Sequence, residues 1–489
     1  MNSFIQIHPS DNVAVALTPL KAGAAAAGCT LREDIPAGHK FALRDIPEGA
    51  DIRKYGAPIG HATRDIQPGE WVHTHNVHTN LSGLLEYKYQ PAQIPEIAPM
   101  EGTFQGYARP DGRVGVRNEL WIVNTVGCVN KTAERLAALA NERWAGQTDG
   151  IFCFTHPYGC SQLGDDHKNT QKLLARMVHH PNAGGVLVLG LGCENNNIPV
   201  FKEDLGDVDP TRVKFLIAQE VEDEIEAGLA LIGELVEAMQ VDKRTPQPLS
   251  KLVIGLKCGG SDGFSGITAN PLLGALSDGV CAAGGTALLS EVPEMFGAET
   301  ILMNRCRDEA TFNAAVELIN GYKRYFMRYG QEIYENPSPG NKAGGITTLE
   351  DKSLGCTQKG GTGPVEGVLN YAEPVQRPGL NLVYGPGNDI CAVTGLMAAG
   401  AQLILFTTGR GTPLGAPVPT LKVATNSALA AKKANWIDFN AGQLLEGMTM
   451  PEAAQALLRL VLDTASGKKA QNELHGYREI AIFKDGVTL

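Results

Sequence analysis

The sequence has no CxxC pair among its ten cysteines, no excess of basic residues and no apolar run long enough to span a membrane. Zinc ribbons and small disulfide frameworks require compact cysteine spacing. Cys29, Cys128, Cys153, Cys160, Cys193, Cys258, Cys281, Cys306, Cys356 and Cys391 therefore read as free thiols of a reducing compartment. A formal net charge of -11 argues against a general binder of nucleic acid or anionic membrane, because either partner needs a basic field. "MNSFIQIHPSDN" has neither the basic start nor the apolar core of a signal peptide, so the cytoplasm is the expected compartment. The chain is instead rich in glycine, 57 residues, and proline, 28, which points to function carried by tight turns and glycine-built loops.

A length of 489 residues gives room for several domains. Residues 1–90 predict a small β-module, with short strands punctuated by "PAG", "PEG" and "QPG" turns. Residues 91–117 are rich in proline and glycine and read as a linker. From 118 to 247, apolar runs such as "LWIVNTVG" and "GVLVLGLG" alternate with amphipathic stretches, the pattern of buried parallel strands in βαβ units. A second α/β region, 248–489, begins at "KLVIGLKCGGSDG" and is interrupted by a polar, glycine-rich segment, 335–363, read as a functional loop. The expected fold is a small all-β domain followed by α/β domains with mainly parallel, Rossmann/flavodoxin-like sheets.

One tetrapeptide pattern, G-C-x-[NQ], recurs at 127–130, 159–162, 192–195 and 355–358. Three copies follow strand runs, where ligands bind in open parallel sheets. Cys128, Cys160 and Cys193 end neighbouring strand runs and are a candidate soft-metal set; their spacing matches no compact cluster motif, so an iron–sulfur cluster is not the expectation. Ser261 and Asp262 of "CGGSDG", Asn388 and Asp389 of "GPGND", and Arg410 of "TTGRGTP" occupy equivalent loop positions and are candidate substrate contacts, Arg410 as a carboxylate clamp. In the long polar segment Asn341 joins them. Lys342, Glu350, Asp351, Lys352 and Lys359 are acid–base candidates there, of which Lys342 and Lys352 are taken as catalytic, with Cys193 beside them.

"GEWVHTHNVHT" places His73, His75 and His78 within six positions. On a strand His73 and His75 would face one side, about 6.6 Å apart along the backbone, and could share a metal with His39. His78 would point away.

"GHKFAL", "KYGAPIG", "HTHN", "VGVRNELWI", "YGCSQLGDDH", "CGGSDGFSGITANP", "EVPEMFGAE" and "YENPSPGNKAGGITTLEDKSLGCTQK" together resemble the altronate/galactarate dehydratase family over essentially the whole chain. The resemblance implies an N-terminal β-clip domain of the SAF type and dependence on ferrous iron, with manganese as substitute. It implies loss of water from D-altronate to give 2-dehydro-3-deoxy-D-gluconate in galacturonate breakdown, with a related acid such as galactarate as the alternative substrate. A non-catalytic sugar-acid binding protein is the third reading. Within the resemblance His73 and His75 are the expected metal ligands, with His39 as a third. The partners expected are a small sugar acid and at most a second copy of the chain in a homodimer, with no nucleic acid and no membrane.

Overall fold

The computed structural model describes residues 3–487. Its N-terminal module is built from two small antiparallel sheets and a two-stranded hairpin, Ala25–Ala26 with Cys29–Thr30. One joins Phe4–Ile5, Val13–Ala16, Lys40–Ala42 and Trp71–Val72; the other joins Asp51–Lys54, Ala57–Ala62 and Val77–His78. The three proline-containing turns behave as the sequence predicts: Gly38, Gly49 and Gly69 have φ of 82°, 77° and 82°, the left-handed conformation that a type II turn requires. At Gly69 a side chain would also collide with the chain, since a Cβ there would sit 2.2 Å from Thr30 O.

Residues 81–102 form no helix or strand, but Thr103–Ala108 and Val114–Gly115, inside the stretch expected as linker, are strands. Thr103–Ala108 pairs with Arg244–Pro248, which lies on the edge of this sheet. The pairing is hard to see in the sequence because that partner reads "RTPQP", and proline is tolerated only on such an edge.

The middle unit has four parallel strands. In chain order these are Glu119–Asn124, Ile151–Phe154, Ala183–Gly190 and Val213–Ile217, arranged 2-1-3-4. Every residue of "ELWIVN" is buried, as a strand covered by helices on both faces must be. The C-terminal unit has seven parallel strands: Val253–Cys258, Thr286–Leu289, Val365–Leu369, Gly379–Val383, Leu403–Thr408, Thr420–Ala424 and Phe439–Asn440, arranged 3-4-2-1-5-6-7. Strand order therefore reverses beside Val253–Cys258, and the crevice outside the carboxyl ends of such strands is where open sheets bind ligands. No helix among the described residues is long and apolar enough to cross a membrane.

The middle and C-terminal units meet at His180, which is buried and stacked on Trp121 with ring centroids 5.1 Å apart. Its Nε2 donates to Ala401 O (3.1 Å) and its Nδ1 accepts from Asn182 N (3.2 Å), so both nitrogens are committed in the neutral ring. Burial pushes the imidazole down to about 3. The unfolded chain takes up this proton below about pH 6.5, so the stability present above that pH is lost as pH falls from 6.5 toward 3. At pH 5 the loss is expected to be about 2 kcal/mol. Urea midpoints at pH 7 and pH 5 should show it, and His180→Asn should remove that share of the pH dependence.

Candidate active site

The polar segment 335–363 is not a solvent loop. From Gly345 to Gly360 nearly every residue is buried, and all eight residues of the helix Leu349–Cys356 are. Thr348 caps this helix through its hydroxyl, which accepts from Asp351 N. Its first two acids face the N-terminal module. Glu350 accepts from Thr79 Oγ1 (2.8 Å) and Asn80 N (2.7 Å); Asp351 binds Lys40 Nζ (2.8 Å) and Lys54 Nζ (2.9 Å), all three being buried. Desolvation pushes Lys40 down to about 8 despite Asp351, whereas Asp351 is held below the usual carboxylate range by the two ammonium groups, which outweigh its burial. Thr348 Oγ1 also donates to Ile59 O (2.5 Å), and Gly38 packs on the backbone of Gly263 and Gly345. The β-module is thus locked onto the helix that carries Lys352.

On its other side this helix faces the strand-order reversal. Lys352 Nζ donates to Glu294 Oε1 (2.8 Å), Asn336 Oδ1 (3.0 Å) and Asn341 Oδ1 (3.3 Å). Burial works to raise Glu294, but Lys352, Lys257 and Lys359 outweigh it and hold the carboxyl at about 2. Lys257 pairs with Glu291 and with Asp389 (2.9 Å), and Lys359 donates to Glu291 Oε2 (2.9 Å) and Cys258 Sγ (3.0 Å). Glu291 adopts a left-handed backbone at φ 71°, unusual for a side chain of this kind, and these partners hold it there.

Cys258, Glu294 and Cys356 are the only three His, Cys, Asp or Glu residues among the described ones whose ligand atoms converge as a metal would require. The sulfurs lie 3.3 Å apart, and Glu294 Oε2 is 3.4 Å and 3.2 Å from them. An ion about 2.3 Å from sulfur and about 2.1 Å from oxygen needs donors roughly 3.5 to 4 Å apart, so the set fits one divalent ion with a small outward movement. Cys258 and Glu294 also line a cavity of about 640 Å3, together with Gly259, Asn336, Asn341, Lys342, Lys352, Asn388 and Asp389. That volume is within the range of small-ligand sites.

The structure therefore gathers Lys342, Lys352, Asn341, Asn388 and Asp389 at one cavity. Arg410 is exposed at its rim, with Nη1 3.5 Å from Gly340 O. Ser261 and Asp262 lie behind the wall. Asp262 accepts from Thr425, Ser265, Asn426 and the Phe264 amide, which is a loop-bracing role. Ser261 O accepts from Asn341 Nδ2 (2.8 Å). Cys193 is exposed on the middle unit and is not part of the cavity wall.

The histidine geometry differs from the strand expected. Trp71–Val72 ends before His73, and residues 73–76 form a turn closed by Asn76, whose side chain accepts from His73 N (2.9 Å) and donates to Trp71 O (2.9 Å). His75 is exposed, while His73 is buried and stacks on Trp71. Burial, with Lys40 and His39 nearby, pushes His73 down to about 3. His39 has no lone pair to offer: its Nδ1 accepts from Trp71 Nε1 (3.2 Å), so its Nε2 carries the hydrogen that points to Ala343 O (3.3 Å). His78 is exposed on the strand Val77–His78, its ring 5.5 Å from that of His61.

Lys257, Cys258, Glu291, Glu294 and Cys356 were not picked out from the sequence as site residues. The usable signal was acid inside an apolar stretch after a strand, as in "SEVPEMF", where Glu291 and Glu294 flank valine and proline.

A β-module clamped over the strand-end cavity of a parallel sheet, with paired lysines and carboxylates buried around it, defines a multidomain α/β enzyme. The chain belongs to the altronate/galactarate dehydratase family. Residues 2–80 match the altronate/galactarate dehydratase SAF domain, 106–240 the D-galactarate dehydratase/altronate hydrolase second domain, and 249–488 the D-galactarate/altronate dehydratase C-terminal model. It is 56% identical over 494 residues to altronate dehydratase of Escherichia coli (strain K12), covering 99% of this chain and 100% of that one. It is 54% identical over 501 residues to altronate dehydratase of Bacillus subtilis (strain 168), covering 100% of both. Galactarate dehydratase (L-threo-forming) of Escherichia coli (strain K12) is 35% identical over 505 residues, covering 98% of this chain and 96% of the relative.

Proposed function

We propose that the chain dehydrates D-altronate to 2-dehydro-3-deoxy-D-gluconate in the C-terminal cavity, as a step of galacturonate breakdown. The observation that carries this reading is Lys352, buried against Glu294 on the wall of that cavity, in a chain 56% identical from end to end to a relative named altronate dehydratase. The reversed strand orders support placing both sheets in the Rossmann/flavodoxin-like class.

The reaction removes the C2 proton beside a carboxylate, and the enediolate that results needs fixed positive charge. Lys352 supplies it, because Glu294 keeps its ammonium charged in the wall. Lys342, half-buried on the same wall, takes the C2 proton. Arg410 at the rim meets the substrate carboxylate, and Asn341, Asn388 and Asp389 are placed for its hydroxyl groups. The proton taken from C2 is passed by Lys342 to the departing C3 hydroxyl, which leaves as water, and the enol product converts to the 2-keto acid. Ferrous iron, with manganese as substitute, is the metal that the family resemblance implies; Cys258, Glu294 and Cys356 would hold it, adding positive charge beside the substrate oxygens.

The test is kcat/KM for D-altronate and galactarate, measured with ferrous iron under reducing conditions. D-Altronate is expected to lead by at least about 100-fold, the margin that a few mismatched hydroxyl contacts produce. Equal values, or a lead for galactarate, would assign the cavity to a different acid.

A further inference from the structure

We infer that Cys128, Cys160 and Cys193 hold one iron–sulfur cluster through three thiolates, at a site of the middle unit separate from the Cys258, Glu294 and Cys356 set. The inference does not rest on the dehydration reading. Of the ten cysteines, these three alone are exposed. Cysteine is among the residues most often buried, and an exposed thiol is open to oxidation, so three on one small surface require a reason.

The topology brings the three together. Cys160, Cys128 and Cys193 follow the strands Ile151–Phe154, Glu119–Asn124 and Ala183–Gly190, which are consecutive neighbours in the sheet and straddle its order reversal. Adjacent strands lie about 4.8 Å apart, so the three loops leave the sheet over a span of roughly 10 Å.

In these three copies the last residue of G-C-x-[NQ] fastens the loops. Asn130 Nδ2 donates to His156 O (2.9 Å), tying the first loop to the second. Asn195 Oδ1 accepts from Ser161 N (2.9 Å), tying the third to the second, and Gln162 Oε1 closes the second on Gly159 N (3.1 Å). Backbone bonds from Gly127 N to Tyr158 O (2.8 Å) and from Asn196 N to Gly159 O (2.9 Å) complete the unit. The approach is so close that a Cβ at Gly159 would sit 2.0 Å from Thr125 O, and one at Gly127 would sit 2.7 Å from His156 O. Three loops are thus tied together while their thiols stay exposed, the Cys193 sulfur accepting from Gln219 Nε2 (3.6 Å).

A second observation points to a ligand here. Gln162 Nε2 is buried in the second of these loops without a hydrogen-bond partner. Sulfide and thiolate groups of clusters accept hydrogen bonds from the surrounding protein, and an unpartnered amide donor of this kind is suited to supply one.

Size selects the ligand. One ion with sulfur at about 2.3 Å would draw its thiolates to roughly 3.8 Å from one another. The three sulfurs are not gathered within 4.8 Å of one another, the limit that the Cys258, Glu294 and Cys356 atoms satisfy. A cluster of several irons has the breadth to bridge them. Binding is ligand exchange: each thiol gives its proton to solvent, and its sulfur replaces a terminal ligand on one iron of a preformed cluster, with no change of oxidation state. The remaining iron of a four-iron cluster keeps a non-protein ligand.

The cup opens on the same face as the C-terminal cavity. The helices Gly164–Val178 and Asp389–Ala398 pack side by side, and His180 just beyond the first meets Ala401 just beyond the second, so they run in the same direction. Each leaves its own sheet at the carboxyl ends of the strands.

The experiment is anaerobic purification of the full chain, followed by visible absorption, iron and acid-labile sulfide analysis. About four irons and four sulfides per chain are expected. Cys128→Ser, Cys160→Ser and Cys193→Ser should each lose most of the sulfide and the iron bound with it, and the triple variant all of the sulfide with unchanged circular dichroism; Cys258→Ser and Cys356→Ser should retain the sulfide. Iodoacetamide followed by peptide mass spectrometry gives an answer even if the triple variant misfolds: the three thiols should be protected in the isolated wild type and labelled after a chelator and an oxidant strip the cluster. Iron without sulfide, sulfide retained by the folded triple variant, or labelling of all three thiols in sulfide-containing wild type would each overturn the inference.

Discussion

Lys352→Met is expected to lower kcat for D-altronate by about three orders of magnitude while changing KM by much less. The side chain is nearly isosteric along its stem but carries no charge, so the cavity keeps its shape and loses the ammonium that lies 2.8 Å from Glu294. The partners lost are specific: Asn336 and Asn341, both on the cavity wall, present their oxygens to this one nitrogen. Glu294 is also released from the nearest of the three cations that hold it at about 2, so its carboxyl rises. Steady-state kinetics beside a thermal melt separate this from unfolding. A variant with normal kcat would remove Lys352 from the chemistry, and one with a raised KM alone would make it a binding group only.

Asp351→Asn is expected to cost about 3 to 5 kcal/mol, the usual penalty for removing one partner of a buried ion pair. Lys40 and Lys54 both lose their counter-ion, and both are buried. The effect is directional, because these lysines belong to the N-terminal module and Asp351 to the helix that carries Lys352. Undocking of the module should therefore accompany the loss. Urea midpoints measure the stability, and protease cleavage within residues 81–102, which form no helix or strand, reports the undocking. Adding Lys40→Met to Asp351→Asn removes one of the stranded charges and should restore part of the midpoint. An unchanged midpoint in the single variant would mean that the triad does not hold the module.

Much of the fold was legible in the sequence, because its signals are local. "ELWIVN" and "GVLVLG" are buried strands for the reason their composition suggests, and the glycines of the "PAG", "PEG" and "QPG" turns adopt the φ that their position demands. The active-site helix was not legible. "LEDKSLGC" has no apolar face, because it is buried all round and each charge is met by a residue remote in sequence, Asp351 by Lys40 across 311 positions. Local reading takes such a segment for a solvent loop. The histidine pair failed for a smaller reason: Asn76 turns the chain at the residues that a continuing strand would have aligned. G-C-x-[NQ] was visible as a repeat, but that its amides fasten neighbouring loops depends on strand order, which no single copy encodes.

The most direct measurement of the dehydration is the fate of deuterium placed at C2 of D-altronate in the same turnover assay. Abstraction at C2 in the Lys352 cavity predicts a slowed reaction, deuterium released to solvent, and a 2-keto-3-deoxy acid as the product, with all three abolished together in Lys352→Met. Product formed with the C2 deuterium retained, or no product from D-altronate in the metal-supplied enzyme, would contradict it.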